Sequence, residues 1–217
     1  MEGEQSYSQA SQDLFALYVS KRKQNGWFVE IGANDPVVTN NTYLLESVYN
    51  WKGLMVEYDR SFLEKYKALR PNSYYEMKDA RAVDYRGCLD TYNFPGVIDY
   101  LQIDLDVDNR STLDVLEQFD KSVFDKYTFS CVTFEHDAYR GDYFDTRAQS
   151  RAIFEKRGYV LAFPDVSVFW QGGLKPFEDW YIHKDALEAS LIESFRTESS
   201  YCHTDVIKKI KSCFAIS

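Results

Sequence analysis

The stretch Trp27-Phe28-Val29-Glu30-Ile31-Gly32-Ala33-Asn34-Asp35-Pro36 decides the fold class of this chain. Its first five residues are almost uninterrupted in apolar character, which is typical of a strand covered on both faces. The glycine and the Asn-Asp-Pro sequence that follow predict a tight turn. We therefore expect residues 27–31 to form a strand of an α/β sheet.

Strand and helix patterns alternate on both sides of this stretch. Further strands are predicted at residues 53–58, 73–77, 99–104, 129–135 and 159–163, and helices at residues 13–19, 42–49, 61–69, 112–119 and 146–157. Residues 165–180, which contain two adjacent glycines and a proline, favour a loop, and the tail from residue 186 favours a helical or partly ordered chain. The alternation predicts an α/β fold with a doubly wound, mostly parallel sheet flanked by helices.

The composition excludes several classes of function. Of the 217 residues, 34 are Asp or Glu and 25 are Lys or Arg, which gives a net charge of −9. Such a chain lacks the basic surface that binds nucleic acid or anionic membranes. No apolar run reaches the roughly 18 residues of a membrane span, and the N-terminus lacks the features of a signal peptide. We expect a cytoplasmic protein whose four cysteines are reduced thiols.

Acidic residues close three of the predicted strands. Ligands of doubly wound sheets lie outside the carboxyl ends of the strands, so these positions are candidate ligand contacts. After the first strand, the small Gly32 and Ala33 allow close approach of a ligand, and Glu30 can accept a hydrogen bond from a ligand amine. Glu57 ends the second strand and is placed to accept both ribose hydroxyls. Asp79 ends the third and could accept the exocyclic amine of adenine.

These carboxylates favour S-adenosylmethionine over a dinucleotide. A dinucleotide site needs the G-x-G-x-x-G pattern and backbone N–H groups facing phosphate. Residues 32–37 offer one glycine, a proline and nearby carboxylates, which repel a pyrophosphate but suit an ammonium and a sulfonium group. In the alternative interpretation, Gly32 and Asp35 only form a tight turn and Glu57 only caps a helix.

Several of these segments resemble the FkbM-type methyltransferases. The likeness rests on residues 11–13, 28–35, 41–46 and 51–57, continues at 99–104 and 157–159, and covers roughly residues 8–163. It implies the Rossmann-like class I methyltransferase fold and S-adenosylmethionine-dependent O-methylation of sugars or polyketides. The implied cofactor-binding set is Gln12, Glu30, Gly32, Ala33, Asn34, Asp35, Asn41, Thr42, Glu57, Tyr58, Asp79, Ala80 and Asp104.

The chain is expected to form one methyltransferase domain over residues 1–217. It contains no linker rich in proline, glycine or serine, and no internal repeat. Within this domain we expect a helical lead-in at residues 1–26 and a cofactor-binding core at 27–163. Residues 164–217 would supply an acceptor-side loop and a C-terminal segment.

The segment after the fourth strand departs from the FkbM pattern. Many members of that family continue with Asp-x-Glu-Gly, whereas residues 104–108 are Asp-Leu-Asp-Val-Asp. This stretch resembles the macrocin-type sugar O-methyltransferases, which hold Mg²⁺ on an Asp after strand four and an acidic pair after strand five. The resemblance implies a divalent cation, Mg²⁺ or Mn²⁺, on Asp104, Glu135 and His136, with Asp137 as the alternative to His136.

Glu135-His136-Asp137 is the densest cluster of reactive side chains in the sequence. Alternation along a strand would place Glu135 and Asp137 on one side. A sugar hydroxyl bound to a metal loses its proton more easily, whereas without a metal His136 is the candidate general base. In the alternative interpretation, Glu135 and Asp137 pair with Arg140 or Arg147 and His136 is simply buried.

The sequence therefore predicts an S-adenosylmethionine-dependent O-methyltransferase that acts on a hydroxyl of a small-molecule or glycan acceptor, without a nucleic-acid partner. The predicted catalytic residues are Asp104, Glu135, His136 and Asp137.

Two other functions remain open. Residues 104–106 match the D-x-D motif of glycosyltransferases that bind Mn²⁺ and a sugar nucleotide, and the chain could also be a non-catalytic module on a methyltransferase fold. Trp170, Trp180 and Tyr181 flank the glycine-containing segment, where they could stack on a sugar ring or pack in the core.

Overall fold

Seven strands form one sheet in the order β3-β2-β1-β4-β5-β7-β6. The computed structural model describes residues 4–141, 143–198 and 201–215. The strands are β1 Trp27–Ile31, β2 Lys52–Glu57, β3 Tyr74–Met77, β4 Val97–Ile103, β5 Thr128–Glu135, β6 Tyr159–Trp170 and β7 Gly173–His183. The pairs among β1 to β5 are parallel, and β7 is antiparallel to both β5 and β6. The predicted α/β class with a mostly parallel sheet is thereby confirmed.

Helices cover both faces of the sheet. They are α1 Gln12–Val19, α2 Tyr43–Tyr49, α3 Leu63–Leu69, α4 Tyr85–Thr91, α5 Ser111–Gln118, α6 Thr146–Lys156, α7 Ala189–Phe195 and α8 His203–Ala215. Apolar residues of α1, α2, α3, α7 and α8 belong to the core on one face, and those of α4, α5 and α6 to the core on the other. No helix within residues 4–141, 143–198 and 201–215 is long and apolar enough to cross a membrane.

The central strand β1 shows why its sequence is almost wholly apolar. Its neighbours are β2 and β4. Phe28 packs into one core, while Val29 and Ile31 pack into the other. Because successive side chains of a strand point to opposite faces and helices cover both, the usual polar alternation is absent.

The segment predicted as a loop at residues 165–180 is instead a β-hairpin. β6 continues to Trp170, and β7 begins at Gly173. The turn residues Gln171 and Gly172 have φ values of 47° and 79°, as two-residue hairpin turns require. The glycines that favoured a loop therefore mark a tight turn between two long strands.

One helix was not anticipated from the sequence. Helix α4 begins after Asp84, whose side chain accepts a hydrogen bond from the Gly87 backbone N–H at 2.9 Å. The tail expected to be helical or partly ordered contains α7 and α8.

Candidate active site

A cavity of about 600 Å³ lies at the carboxyl ends of β1, β2, β4 and β5, where ligands of such sheets bind. It contains seven of the predicted site residues, and others that the sequence did not single out. Its lining consists of Gln9, Gly32, Asn34, Thr39, Asn41, Glu57, Asp59, Phe62, Asp104, Leu105, Asp106, Glu135, Asp137 and Arg140. The predicted strand ends therefore do converge on one cavity.

Gly32 lies where the ends of β1 and β4 meet, in the lining of this cavity. Its φ is +84°, and a Cβ there would lie 1.7 Å from the backbone oxygen of Asp104. The Asp104 N–H donates to the carbonyl of Ile31 at 3.0 Å. The glycine is thus required for contact between two parts of the chain, in addition to its place in the cavity wall.

Glu57 is held in the cavity wall by two backbone donors. The Asn34 N–H donates to Oε2 and the Asp59 N–H to Oε1, each at 2.7 Å. Each carboxylate oxygen keeps further acceptor capacity. The side chain is therefore oriented before any ligand arrives and can still accept hydroxyl protons.

Glu30 lies beneath the cavity wall rather than in it. The carboxylate is fully buried and accepts hydrogen bonds from the Asn41 N–H at 2.8 Å and the Thr42 hydroxyl at 2.6 Å. Burial raises the pKa of Glu30 to about 7, against the opposing effect of the Arg70 charge. The expected contact of Glu30 with a ligand amine is not supported, because its oxygens face the chain itself.

Asn41 presents an amide oxygen that suits a ligand donor. The backbone N–H of Asn41 is held by Glu30, and the Asn41 side chain lines the cavity. The buried Oδ1 of Asn41 has no hydrogen-bond partner among the described residues. A buried acceptor of this kind normally requires a donor.

Three other predicted contacts lie outside the cavity lining. Gln12 is buried and donates to Glu178 at 3.0 Å, and Ala33 is buried with its carbonyl bonded to Asn40. Asp35 accepts from two backbone N–H groups and pairs with Lys65 at 2.9 Å. Asp35 thus forms the turn that the alternative interpretation anticipated.

A second cavity of about 310 Å³ adjoins the first, since Leu105 and Asp106 line both. It holds the predicted residues Tyr58, Asp79 and Ala80. The Asp79 carboxylate forms a bidentate pair with the Arg81 side chain, which lowers the pKa of Asp79.

Asp104 and Glu135 are neighbouring carboxyl groups on the far wall of the first cavity. Burial raises the pKa of both groups, and the charge of Asp104 raises that of Glu135 further. A carboxylate beside another carboxyl group favours the protonated form of its neighbour. The pair therefore retains a proton to higher pH than an isolated carboxyl group, and it lies in the cavity lining, where it can exchange that proton with a ligand.

A third buried carboxyl group, that of Glu178, neighbours Asp104 and Glu135. It was not identified from the sequence. Its carboxylate accepts from the Gln12 amide at 3.0 Å and the Trp180 indole N–H at 2.7 Å. Burial raises the pKa of Glu178 to about 8, and the charge of Asp104 adds to the shift. Recognition of β7 as a strand next to β5 would have been the signal, because Glu178 pairs with Glu135 in the sheet register.

His136 is not brought together with Asp104 and Glu135. Its Nε2 lies 3.4 Å from Asp179 Oδ1 and 3.6 Å from Asp165 Oδ1, while its neighbours Glu135 and Asp137 line the cavity. Strand alternation explains this separation. The predicted metal set of Asp104, Glu135 and His136 is therefore not assembled, and His136 does not reach the cavity as a general base.

His136, Asp165 and Asp179 are the trio within the described residues whose ligand atoms lie within 4.8 Å of one another. Two arginines already engage these carboxylates. Arg147 bonds Asp165 at 2.5 Å, and Arg151 bonds Asp179 at 2.7 and 2.8 Å. The guanidinium charges balance the two carboxylates and oppose a metal ion, so we interpret the trio as part of an ion-pair cluster.

The fold is similar to that of solved methyltransferases. A candidate rRNA methylase from Clostridium thermocellum shares 12% identity at a TM-score of 0.50, covering 79% of this chain and 94% of that chain. The precorrin-6y C5,15-methyltransferase from Geobacter metallireducens GS-15 shares 15% identity at a TM-score of 0.50, with coverage of 78% and 84%. A TehB-like SAM-dependent methyltransferase from Corynebacterium glutamicum shares 11% identity at a TM-score of 0.49, with coverage of 82% and 89%.

The likenesses to the two structures with a TM-score of 0.50 show the Rossmann-like fold of such enzymes. No protein-family model and no curated protein sequence matches the chain.

Proposed function

We propose that this protein is an S-adenosylmethionine-dependent methyltransferase that acts on a hydroxyl of a sugar or glycan. One observation carries the proposal: the 600 Å³ cavity has Asn41 and Glu57 on one wall and the Asp104–Glu135 pair on the other. The first wall offers acceptors for a cationic, ribose-bearing cofactor, and the second offers a proton acceptor for the reacting group.

The first wall suits S-adenosylmethionine. The unpartnered Asn41 Oδ1 can accept a hydrogen bond from the ammonium group, and the Glu57 carboxylate can accept the ribose hydroxyls. The adjoining cavity with Tyr58, Asp79 and Ala80 provides room for the adenine. The acidic lining favours the positive charge of the sulfonium.

The second wall suits an acceptor hydroxyl. In the proposed step the hydroxyl oxygen forms a bond to the methyl carbon, the S–CH₃ bond breaks, and the sulfur retains its electron pair. The hydroxyl proton passes to the Asp104–Glu135 pair. Proton removal of this kind contributes roughly 10²–10⁴-fold to a rate. The products are a methyl ether and S-adenosylhomocysteine.

Divalent-cation assistance at this wall remains part of the proposal, although Asp104, Glu135 and Asp137 are not among the described residues whose ligand atoms lie within 4.8 Å of one another, so a cation would have to draw their side chains together. Asp104, Glu135 and Asp137 line the same cavity, and carboxylate oxygens are the ligands that Mg²⁺ and Mn²⁺ take. When bound, such a cation would make the acceptor hydroxyl more acidic. Asp137, rather than His136, is then the third candidate ligand.

The charge of the cavity argues against a polyanionic acceptor. Among the described residues, the lining includes six carboxylate side chains, those of Glu57, Asp59, Asp104, Asp106, Glu135 and Asp137, and one arginine, Arg140. A nucleic-acid phosphate would meet repulsion there. A neutral acceptor such as a saccharide is favoured.

Calorimetric titration with S-adenosylhomocysteine, with and without Mg²⁺ and EDTA, tests the cofactor. We expect binding with a dissociation constant on the order of micromolar, about −8 kcal/mol. Absence of binding in both conditions would contradict the proposal. Binding of UDP- or GDP-sugars with Mn²⁺ instead would favour the D-x-D glycosyltransferase, and cofactor binding without methyl transfer would favour a non-catalytic module.

A further inference from the structure

A two-stranded arm extends beyond the edge of the sheet that carries the cavity. The last residue of β5, Glu135, pairs with Glu178 of β7, so the earlier residues of β7 continue past β5. Residues 168–170 pair with residues 173–175. We call residues 168–175 the arm. At about 3.3 Å per residue, the five residues 173–177 extend roughly 16 Å beyond the end of β5.

The arm exposes three large apolar side chains. Phe169 is 70% exposed, Trp170 60% and Leu174 51%. Phe169 and Leu174 are paired across the two strands and share a face, whereas Trp170 is paired with Gly173, which has no side chain to cover the indole. Trp180, farther along β7, is fully buried. The arm therefore departs from the core packing that accounts for the other aromatics of this hairpin.

The base of the arm is joined to the cavity wall by backbone hydrogen bonds. The N–H groups of His136 and Asp137 both donate to the Phe177 carbonyl, at 2.8 and 3.0 Å, and the Tyr139 N–H donates to the Pro176 carbonyl at 3.2 Å. Asp137 lines the cavity, and Tyr139, two residues later in the chain, is exposed to solvent. The segment after β5 thus connects the reaction wall directly to the exposed apolar surface.

We propose that the arm is the acceptor-binding element and that Trp170 packs against a ring face of a neutral acceptor such as a saccharide. This inference rests on the proposed methyltransferase function. Exposed apolar side chains that lie together are typical of binding surfaces, and the acidic lining of the cavity disfavours anionic acceptors. A second copy of the chain is a weaker candidate, because three partly exposed side chains fall short of the roughly 800 Å² per partner of a stable interface.

Methyl transfer from labelled S-adenosylmethionine to a panel of neutral saccharides tests the arm. For Trp170→Ala we expect the KM for the acceptor to rise about tenfold, with a kcat at saturation and an affinity for S-adenosylhomocysteine close to those of the wild type. Trp170→Phe should restore part of the loss. Val97→Ala, at an exposed apolar position on the first residue of β4, is the matched control and should leave the KM unchanged.

The outcomes separate the arm from the proposed function. If the wild type fails to bind S-adenosylhomocysteine, the methyltransferase proposal itself fails. If it methylates a saccharide and Trp170→Ala has the wild-type KM, the arm proposal alone is overturned. If it binds the cofactor but methylates no neutral saccharide, the proposed acceptor class is overturned.

Tryptophan fluorescence provides a second readout. Trp51 and Trp180 are fully buried and Trp27 is half-buried, so acrylamide should quench Trp170 most strongly, and the Trp170→Phe variant gives the background from Trp27. A methylated saccharide should protect this emission in the wild type and not in Trp170→Phe. Protection that instead appears with protein concentration, together with a dimer in sedimentation, would assign the arm to self-association and overturn the proposal.

Discussion

The two walls of the cavity are built in different ways. The wall assigned to the cofactor comes mostly from the loop after β1 and from the end of β2, and its polar groups are held by hydrogen bonds to backbone and to buried ionic partners. The opposite wall comes from the ends of β4 and β5, and its carboxyl groups face one another. On the first wall the Glu57 carboxylate is held by backbone donors, whereas on the second wall burial raises the pKa of both carboxyl groups.

Arg70 is the centre of the support behind the cofactor wall. The fully buried guanidinium donates to Glu46 at 2.8 Å, to Asn40 Oδ1 at 2.8 Å and to the Thr42 hydroxyl at 2.7 Å. No such cation lies among the described residues that bond to the Asp104–Glu135 pair. Burial therefore orients the polar groups of the cofactor wall, whereas on the opposite wall it raises the pKa of Asp104 and Glu135.

Replacing a carboxyl group on the wall formed by β4 and β5 should have the largest effect, and it should act on turnover. Asp104→Asn keeps the shape of the side chain but removes its basicity, so we expect kcat to fall roughly 10²–10⁴-fold. The affinity for S-adenosylhomocysteine should change little in calorimetry. A variant with full turnover would remove Asp104 from the proposed role.

Removing the buried arginine that supports the cofactor wall should lower the stability of the fold. Arg70→Met leaves Glu46 buried without its cation, and we expect the free energy of unfolding in urea to fall by about 3–5 kcal/mol. Arg86→Met is the matched control, since the Arg86–Asp90 pair is half-exposed, and it should cost about 1 kcal/mol or less. Equal losses in the two variants would contradict the central role of Arg70.

The buried carboxyl group of Glu178 should make the stability of the protein depend on pH. With a pKa near 8 in the folded chain and an ordinary value of 4.5 in the unfolded chain, Glu178 holds a proton in the native state that is lost on unfolding. Stability should therefore fall as pH rises from about 5 to 8, by at most about 1.4 kcal/mol per pH unit from this group.

The Glu178→Gln variant isolates this contribution. It should show a shallower decline of the unfolding free energy between pH 5 and pH 8 than the wild type, measured in urea at several pH values. A decline as steep as that of the wild type would show that Glu178 does not retain the proton.

The smallest of these effects should come from the cofactor contact itself. Glu57→Gln keeps one carbonyl acceptor, so we expect the affinity for S-adenosylhomocysteine to fall about tenfold, while Glu57→Ala should lose more. Calorimetry on both variants measures this directly. Unchanged affinity in Glu57→Ala would exclude the ribose contact.

The strands β1 to β5 and the helices α1, α2, α3, α5 and α6 were predictable because each carries a continuous apolar run or a helical apolar face. Strand β7 was not, because its Glu178 and Asp179 are charged residues that are buried by specific partners. Hydrophobic pattern alone cannot distinguish such residues from those of a polar loop.

The residues of the candidate site also fall into those predictable from local sequence and those that depend on distant partners. The positions of Gly32, Asn34 and Glu57 follow from their place at the carboxyl end of a strand or in the turn after it, because the carboxyl ends of parallel strands meet at one edge. The support given by Glu30 and Arg70, and the separation of His136 from its neighbours, depend on which side chains face each other across the fold.

Local pattern and composition were sufficient to predict the class of the sheet, the edge at which the strand ends converge and the acidic character of that edge. The three-dimensional fold was needed to show which carboxyl groups are neighbours, which are held by arginines, and that the glycine-containing segment forms an exposed arm. The physical reason is that the ionisation and orientation of a buried polar group depend on partners distant in sequence, which local pattern does not encode.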